Sequence, residues 1–220
     1  MIFEVLTNEE TKVARNEFIQ IIKEVRELLS KKYKFIIKSA GSDKYNFNIR
    51  NSNGEYDLDY LMILTKNSES EYYPNNPTKI RNEIFQTFQD VVQRKKYQTY
   101  NTEESTSVIT LIKMDEKKRT WSYDICITKE FSNNKDANMD NIVRNSSGNN
   151  NDGANTYTWN QLGLINKGEN WFEKLKAEKR KEIVNKIIEK KTESKKIGNK
   201  NDPKYKTTSQ IFLEVYNENK

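Results

Sequence analysis

The sequence of 220 residues contains no histidine and a single cysteine, Cys126. Without histidine, the chain cannot form a Ser–His or Cys–His catalytic pair, a histidine-ligated zinc site or an imidazole general base. A single cysteine excludes an internal disulfide and a cysteine-based zinc cluster. Any catalysis therefore has to come from carboxylates, lysines, hydroxyl groups or a metal ion that is bound by carboxylates.

Long apolar runs are also missing. The mean hydropathy is −0.99 and 32% of the residues are charged, so no stretch approaches the roughly 20 apolar residues of a membrane-spanning helix. The N-terminal residues lead directly into acidic ones and lack the basic-then-apolar pattern of a secretory signal. We therefore expect a cytoplasmic protein without membrane association. Apolar residues make up 34% of the chain, enough for the core of one globular unit.

The net charge of +6 is concentrated in the C-terminal part of the chain. Residues 1–132 carry 21 basic and 20 acidic side chains, whereas residues 133–220 carry 17 and 12. A basic excess favours a polyanionic partner such as a nucleotide or a nucleic acid, although it also serves solubility. Basic side chains that could neutralise a triphosphate are Lys44, Arg50 and a cluster formed by Lys174, Lys176, Lys179, Arg180 and Lys181. The cluster lies on a predicted helix, so the alternative for it is a solvated helix face.

Hydrophobic periodicity predicts an alternation of helices and strands. Thr7 and Glu10 have the spacing of a capping box at the start of a helix over 7–32. Strands are predicted at 33–38 and 56–64, a second helix at 78–97, and a β-hairpin at 107–114 and 120–128. We expect an Asn-rich loop at 133–158, then a basic helical C-terminal segment at 159–220 with a helix near 168–191 and a linker at 192–206. This order predicts an α+β fold with a small mixed β-sheet flanked by helices.

Two aspartates, Asp57 and Asp59, interrupt an otherwise apolar strand. Residues i and i+2 of a strand point to the same face, about 6–7 Å apart, and neighbouring carboxylates raise each other's pKa. A divalent cation relieves that cost, because hard ions such as Mg²⁺ prefer carboxylate oxygens. The alternative is an exposed edge strand with solvated aspartates, which the apolar residues at 61–64 disfavour.

A third acid, Asp124, lies in the second strand of the predicted hairpin. If this strand pairs beside the first, three carboxylates converge, and such a set can hold two metal ions for attack on a phosphorus. By itself, Asp124 would be typical of a strand edge. Gly41 and Ser42 follow a strand, where glycine allows a close backbone approach and successive N–H groups can bind phosphate, although a simple turn has the same sequence.

These motifs together resemble those of a known superfamily. Ala40-Gly41-Ser42 followed by Tyr56-Asp57-Leu58-Asp59 is similar to the hG-[GS]…DhDh signature of the polymerase-β-like nucleotidyltransferases. Within this superfamily, the motifs are most similar to those of the branch that contains the oligoadenylate synthetases and the bacterial cyclic-dinucleotide synthase-like enzymes (CD-NTases). The resemblance covers roughly residues 30–130. The resemblance implies a nucleotidyltransferase fold, with a catalytic core at 1–132 and a short helical C-terminal segment that closes the nucleotide cleft.

The resemblance also implies roles for individual residues. Asp57, Asp59 and Asp124 would bind Mg²⁺ or Mn²⁺, and Asp124 would help to activate the acceptor hydroxyl. Gly41 and Ser42 would hold the β- and γ-phosphates of a nucleoside triphosphate. Lys44, two residues further on, is a candidate to neutralise the phosphates.

The expected activity is metal-dependent transfer of a nucleoside monophosphate from an NTP to an acceptor hydroxyl. The acceptor is a nucleotide, as in a second-messenger synthase of bacterial antiviral defence, or an RNA, a protein or a small molecule. The alternatives are a non-catalytic module on the same fold that binds nucleic acid through its basic C-terminal part, or an interaction protein that docks through the helix near 168–191. The aromatic residues Tyr56, Tyr60, Tyr123 and Trp159 either stack a base or pack in the core.

Overall fold

The computed structural model describes residues 3–44, 47–65, 68–130, 139–149, 155–161, 172, 174–197, 202, 204–206 and 208–219. The elements up to the central strand are β1 (Glu4–Val5), α1 (Asn8–Leu29), β2 (Phe35–Ser39), α2 (Gly41–Lys44), β3 (Ile49–Arg50) and β4 (Tyr56–Leu64). They are followed by α3 (Pro77–Val92), a 3₁₀ turn (Lys95–Tyr97), β5 (Tyr100–Glu104), β6 (Val108–Asp115), β7 (Lys118–Glu130), β8 (Met139–Asn149), β9 (Asn155–Gln161), α4 (Ala177–Ile197) and α5 (Thr208–Glu218). None of the helices in these residues is long and apolar enough to cross a membrane.

The two long N-terminal helices begin where local signals predict. In α1, the Thr7 side chain accepts a hydrogen bond from the Glu10 amide, and the Glu10 carboxylate accepts one from the Thr7 amide at 2.8 Å, so the predicted capping box is confirmed. In α3, the Asn76 side chain caps the Lys79 amide at 3.0 Å, and Pro77 occupies the first turn. Because proline lacks an N–H, it fits a helix position whose N–H has no acceptor within the helix.

A seven-stranded sheet forms the centre of the molecule, in the order β2-β4-β7-β6-β5, with β8 paired to β7 and β9 paired to β8. Among the described strands of this sheet, β4 and β7 are the one parallel pair, and the other neighbours are antiparallel. The predicted hairpin is formed by β6 and β7. The mixed sheet with flanking helices confirms the predicted α+β class.

The two faces of β4 have different environments. Leu58 and Tyr60 are buried and pack, with α1 and α3, into the main core, where the rings of Phe18 and Tyr60 stack at 3.8 Å between centroids. Because side chains alternate along a strand, Asp57 and Asp59 lie on the opposite face of the sheet, away from this core. The alternation therefore positions both carboxylates on one side.

The Asn-rich segment contains two strands, so the prediction of a loop at 133–158 is wrong for 139–149 and for 155–158. β8 pairs with residues 128–130 of β7, and β9 pairs with β8. Strand pairing uses backbone groups that every residue other than proline carries, so a polar sequence can pair where few apolar side chains are available. Ile142 and Tyr157 supply the buried contacts. The sheet thus continues beyond residue 132, where the core was expected to end.

The C-terminal helices form a second apolar cluster. Its buried members are Phe47, Phe172, Ile183, Val184, Ile187, Ile211 and Val215. The predicted helix near 168–191 is present from residue 177, whereas 168–171 and 173 lie outside the described residues. The helix ends at Ile197, so the linker prediction at 192–206 is wrong for its first six residues. Ser194, which is buried, exchanges hydrogen bonds with the Lys206 backbone at 2.7 and 2.8 Å and so fixes the end of α4.

Candidate functional site

The three predicted carboxylates lie on neighbouring strands. In the parallel pairing of β4 and β7, Asp59 is the register partner of Asp124, and Asp57 is the partner of Ser122. The pairing on which the sequence argument depended is therefore present. The shared face of β4 and β7 carries the acids, while the other face is covered by the main core.

Gly41 lies directly against Asp59. It begins α2 with φ +52°, and a Cβ atom at this position would lie 2.2 Å from Asp59 Oδ2. The Ala40 amide also donates to the Asp59 carbonyl at 2.8 Å. Both the backbone conformation and the lack of space require glycine here. The structure thus brings the Gly41-Ser42 turn to the acidic strand, and Lys44 lies at the end of the same short helix.

The turn is anchored from behind by a buried ion pair. Asp43 is buried and accepts hydrogen bonds from Arg15 Nη2 at 2.7 Å and from Asn48 Nδ2 at 2.9 Å. The Ser42 hydroxyl lies 3.4 Å from Asn48 Oδ1. Asp43 is therefore bound to α1 through Arg15, and this contact holds α2 in place beside the carboxylates.

The carboxylates strongly affect one another. Burial, and then the charges of Asp124 and Asp57, raise the pKa of Asp59 to about 7, partly offset by the positive charge of Lys191. Burial also raises the pKa of Asp124. A hydrogen bond from Thr110 Oγ1 to Asp124 Oδ1, at 2.7 Å, acts in the opposite direction and lowers this pKa. The ionised forms of both carboxylates are therefore unfavourable in the protein alone, and a bound cation would stabilise them.

Two residues that were not predicted contact Asp57. Arg119 Nη2 donates to Asp57 Oδ1 and to Ser122 Oγ, the latter at 2.6 Å, and the Ser122 hydroxyl donates to the same Asp57 oxygen. Ser122 and Thr110 are polar residues in otherwise apolar strands, which was a usable signal. Arg119 lies in a charged turn sequence, where nothing in the local pattern distinguishes it from its neighbours.

A cation from the C-terminal helix also reaches the site. Lys191 on α4 is partly buried, and burial lowers its pKa, whereas the charges of Asp57 and Asp59 raise it. Its Nζ lies 5.6 Å from the centroid of the Phe3 ring. Lys191 was predicted to be part of the basic segment but not singled out, because its proximity to Asp57 and Asp59 depends on the packing of α4.

Other predicted phosphate-neutralising residues are paired elsewhere. Arg50 contacts Glu4 at 2.8 Å and Glu10 at 3.3 Å. In the basic cluster, Lys179 pairs with Glu182 at 2.8 Å. The Lys179–Glu182 pair is solvent-exposed, as expected for the solvated helix face that was the alternative for the cluster.

The candidate aromatic residues serve packing. Tyr60 and Tyr123 are buried in the main core, and the Tyr123 hydroxyl donates to the Ala14 carbonyl at 2.7 Å. Trp159 donates its indole N–H to the Pro74 carbonyl at 2.7 Å. Tyr60 and Tyr123 are therefore core residues, whereas Tyr56 and Trp159 are partly buried and pack against the core from its edge.

The donor set fits a divalent cation by its chemistry. Within the described ranges, no group of three or more histidine, cysteine, aspartate or glutamate side chains is arranged to hold a metal ion. Asp57 is paired with Arg119 instead. However, the three aspartates are oxygen ligands of the type that Mg²⁺ and Mn²⁺ prefer, and they lie on one face and repel one another.

Comparison with known proteins identifies the fold. No family model matches the sequence, and a search of curated proteins finds no match. A variant of the Vibrio cholerae di-nucleotide cyclase DncV, solved with ATP and GTP, superposes with a TM-score of 0.63 at 9% identity and covers 97% of this chain and 69% of its own. The V. cholerae DncV cyclic AMP-GMP synthase with a linear intermediate gives 0.62 at 10% identity, covering 87% and 62%. Escherichia coli CdnC with ATP gives 0.58 at 13% identity, covering 98% and 61%.

These similarities confirm a nucleotidyltransferase fold of the CD-NTase type, as the sequence resemblance implied. The chain spans about 60 to 70% of the length of these three structures. The shared part includes the sheet that carries the three aspartates of this chain.

Proposed function

We propose that this protein is a metal-dependent nucleotidyltransferase. It would transfer a nucleoside monophosphate from an NTP to an acceptor hydroxyl and release pyrophosphate. The observation that carries the proposal is the placement of Asp59 beside Asp124 on parallel strands, with Gly41 directly against Asp59. The fold shared with nucleotide-bound CD-NTases supports it.

Asp57, Asp59 and Asp124 would hold Mg²⁺ or Mn²⁺. A bound divalent ion neutralises charge on the triphosphate and polarises its phosphoryl oxygens. The raised pKa values of Asp59 and Asp124 support this role, because both carboxylates are poorly compensated by the protein alone. Thr110 would hold the Asp124 carboxylate in a single orientation through its hydrogen bond.

The phosphates would lie between the turn at α2 and helix α4. Gly41 leaves the backbone open next to Asp59, and Ser42 adds a hydroxyl group. Lys44 on α2 and Lys191 on α4 would supply positive charge to the triphosphate. Charge-assisted hydrogen bonds from lysine to phosphate oxygens orient the α-phosphorus toward the acceptor.

Asp124 would act as the general base. In the transfer step, the acceptor oxygen forms a bond to the α-phosphorus, the bond to the bridging oxygen of pyrophosphate breaks, and the proton of the hydroxyl passes to a carboxylate oxygen of Asp124. Asp124 lies beside Asp59 in the strand register, and the hydrogen bond from Thr110 holds its carboxylate, so it is placed to accept this proton. Because the chain has no histidine, a carboxylate is the side chain suited to this role at neutral pH.

We infer that the acceptor is the ribose hydroxyl of a second nucleotide, which would make the product an oligonucleotide second messenger of the kind used in antiviral defence. The similarity to a cyclic AMP-GMP synthase supports this product class. Incubation with each pair of NTPs and Mg²⁺, followed by mass spectrometry, would detect such a product. Transfer to RNA, protein or a small molecule instead would leave no nucleotide-only product.

Calorimetric titration tests the nucleotide site itself. We expect ATP, GTP, CTP or UTP to bind with Mg²⁺ to the native protein and to lose binding in Asp59→Asn. Asp90→Asn is the matched control, because Asp90 is an exposed acid on α3, across the sheet from the carboxylates, where an amide still accepts the hydrogen bond from Gln86. No triphosphate binding to folded protein, or equal loss in both variants, would contradict the proposal.

A further inference from the structure

The contact between Arg119 and Asp57 is an unusual feature of the candidate site. One oxygen of Asp57 accepts hydrogen bonds from both Arg119 Nη2 and the Ser122 hydroxyl. Asp57, a proposed metal ligand, is therefore already paired with the positive charge of Arg119. Ser122 is fully buried and fixed in the sheet. The side chains of Arg119 and Asp57 are 35% and 54% exposed, so this ion pair can open to solvent without disturbing the core.

The charges explain why the ion pair opposes a metal ion. Asp57, Asp59 and Asp124 carry up to three negative charges, whereas Arg119 and Lys191 supply two positive charges to them. Both basic side chains therefore reduce the attraction of the acids for a divalent cation. Removing one adjacent positive charge increases that attraction.

Arg119 also has a hydrogen-bond donor that is not used. Its Nε is buried and has no hydrogen-bond partner within the described part of the chain. A guanidinium with an unused donor gains by moving to a ligand that accepts two parallel hydrogen bonds, as phosphate oxygens do. Asp57 offers Arg119 a single oxygen, so a triphosphate is the better partner.

We propose that Arg119 is a positioning residue that holds Asp57 in an ion pair until a nucleoside triphosphate draws the guanidinium away. Metal binding and nucleotide binding are then positively coupled, because release of Asp57 by the nucleotide completes the carboxylate site. The inference rests on the proposed function, since it takes the three aspartates as metal ligands. It adds a role for Arg119 in setting when the metal binds.

Mn²⁺ binding followed by electron paramagnetic resonance tests this without measuring activity. We expect Arg119→Gln to bind Mn²⁺ about tenfold more tightly than the native protein when nucleotide is absent, as removal of a nearby unit charge would produce. With a non-hydrolysable ATP analogue present, the Mn²⁺ affinities of the two proteins should differ by less than about threefold. The analogue should therefore tighten Mn²⁺ binding about tenfold less in Arg119→Gln than in the native protein.

Two further variants separate charge from hydrogen bonding. Arg119→Lys keeps the charge and should stay within about threefold of the native Mn²⁺ affinity without nucleotide. Ser122→Ala removes a donor to Asp57 but leaves the guanidinium charge, and should also change the affinity by less than about threefold. If Arg119→Lys tightened Mn²⁺ binding as much as Arg119→Gln, the charge argument would be refuted.

The outcomes distinguish this inference from the proposed function. Mn²⁺ affinity that is unchanged or weaker in Arg119→Gln, in a protein whose binding is lost in Asp59→Asn, would overturn the role of Arg119 alone. A native protein that binds no Mn²⁺ even with the nucleotide analogue would overturn both. Tighter binding in Arg119→Gln that Asp59→Asn abolishes would support both.

Discussion

Replacing Asp59 by asparagine should stabilise the metal-free protein in a pH-dependent manner. The pKa of Asp59 rises from its ordinary value of 3.8 to about 7 in the folded state, because of burial and of two neighbouring carboxylates. The folded protein therefore binds this proton more tightly than the unfolded chain does. By linkage, the free energy of unfolding falls as the pH rises from about 4 to 7, and the full penalty remains above pH 7.

The magnitude follows from the shift. About three pKa units correspond to about 4 kcal/mol, which is the upper limit of the gain for Asp59→Asn at pH 8. At pH 4.5, close to the pKa of the unfolded chain, the same substitution should gain only about 1 kcal/mol. For a chain of this length, 4 kcal/mol corresponds to a rise in Tm of roughly 8–16 °C.

Urea unfolding at pH 4.5 and pH 8, in the presence of a chelator, measures this difference. Asp90→Asn is the matched control, because Asp90 is an exposed acid on α3, across the sheet from the carboxylates. This substitution should change the stability by no more than about 1 kcal/mol at either pH. If Asp59→Asn gave no gain at pH 8, or the same gain at both pH values, the proposed repulsion among buried carboxylates would be wrong.

Two other substitutions test the geometry of the site. Gly41→Ala should lower the stability by about 2–4 kcal/mol and abolish nucleotide binding, because its Cβ would clash with Asp59. Gly54→Ala, at φ +84° with no atom within 4 Å, should cost only about 1 kcal/mol of backbone strain in the same urea unfolding assay. Equal losses in the two variants would contradict the close approach to Asp59. Thr110→Val should raise the pKa of Asp124 in the metal-free protein further, because the hydrogen bond that favours its ionised form is lost, and the midpoint of the Asp124 carboxyl titration measured by NMR should move to higher pH. A midpoint that did not move would show that Thr110 does not stabilise the ionised carboxylate.

Local interactions explain which parts of the fold were predictable. The start of α1 depends on two side chains three residues apart, Thr7 and Glu10, and the strand at 56–64 depends on its own alternation of apolar and acidic residues. Each of these signals is contained within a few neighbouring residues. The common face of Asp57 and Asp59 follows in the same way from the two-residue period of a strand.

Predictions failed where pairing partners decide the structure. Residues 139–149 form a strand whose first residues pair with the end of β7, and residues 155–161 form a strand that pairs with 139–149. The polar sequence of both segments carries little sign of this pairing. α4 continues to residue 197 because Ser194 bonds to the backbone of Lys206. Context of this kind overrides local propensity.

The sequence by itself determined which residues could carry chemistry: with no histidine and one cysteine, carboxylates, lysines and hydroxyl groups remained, and the acids on apolar strands were the candidates with a distinct pattern. Only the tertiary structure decided which groups meet them. Arg119 reaches Asp57 across the parallel pairing of β4 and β7, and Lys191 reaches the same acids from α4. The physical reason is range: strand alternation and helix capping act between residues a few positions apart, whereas ion pairing acts between side chains that only the folded chain brings together.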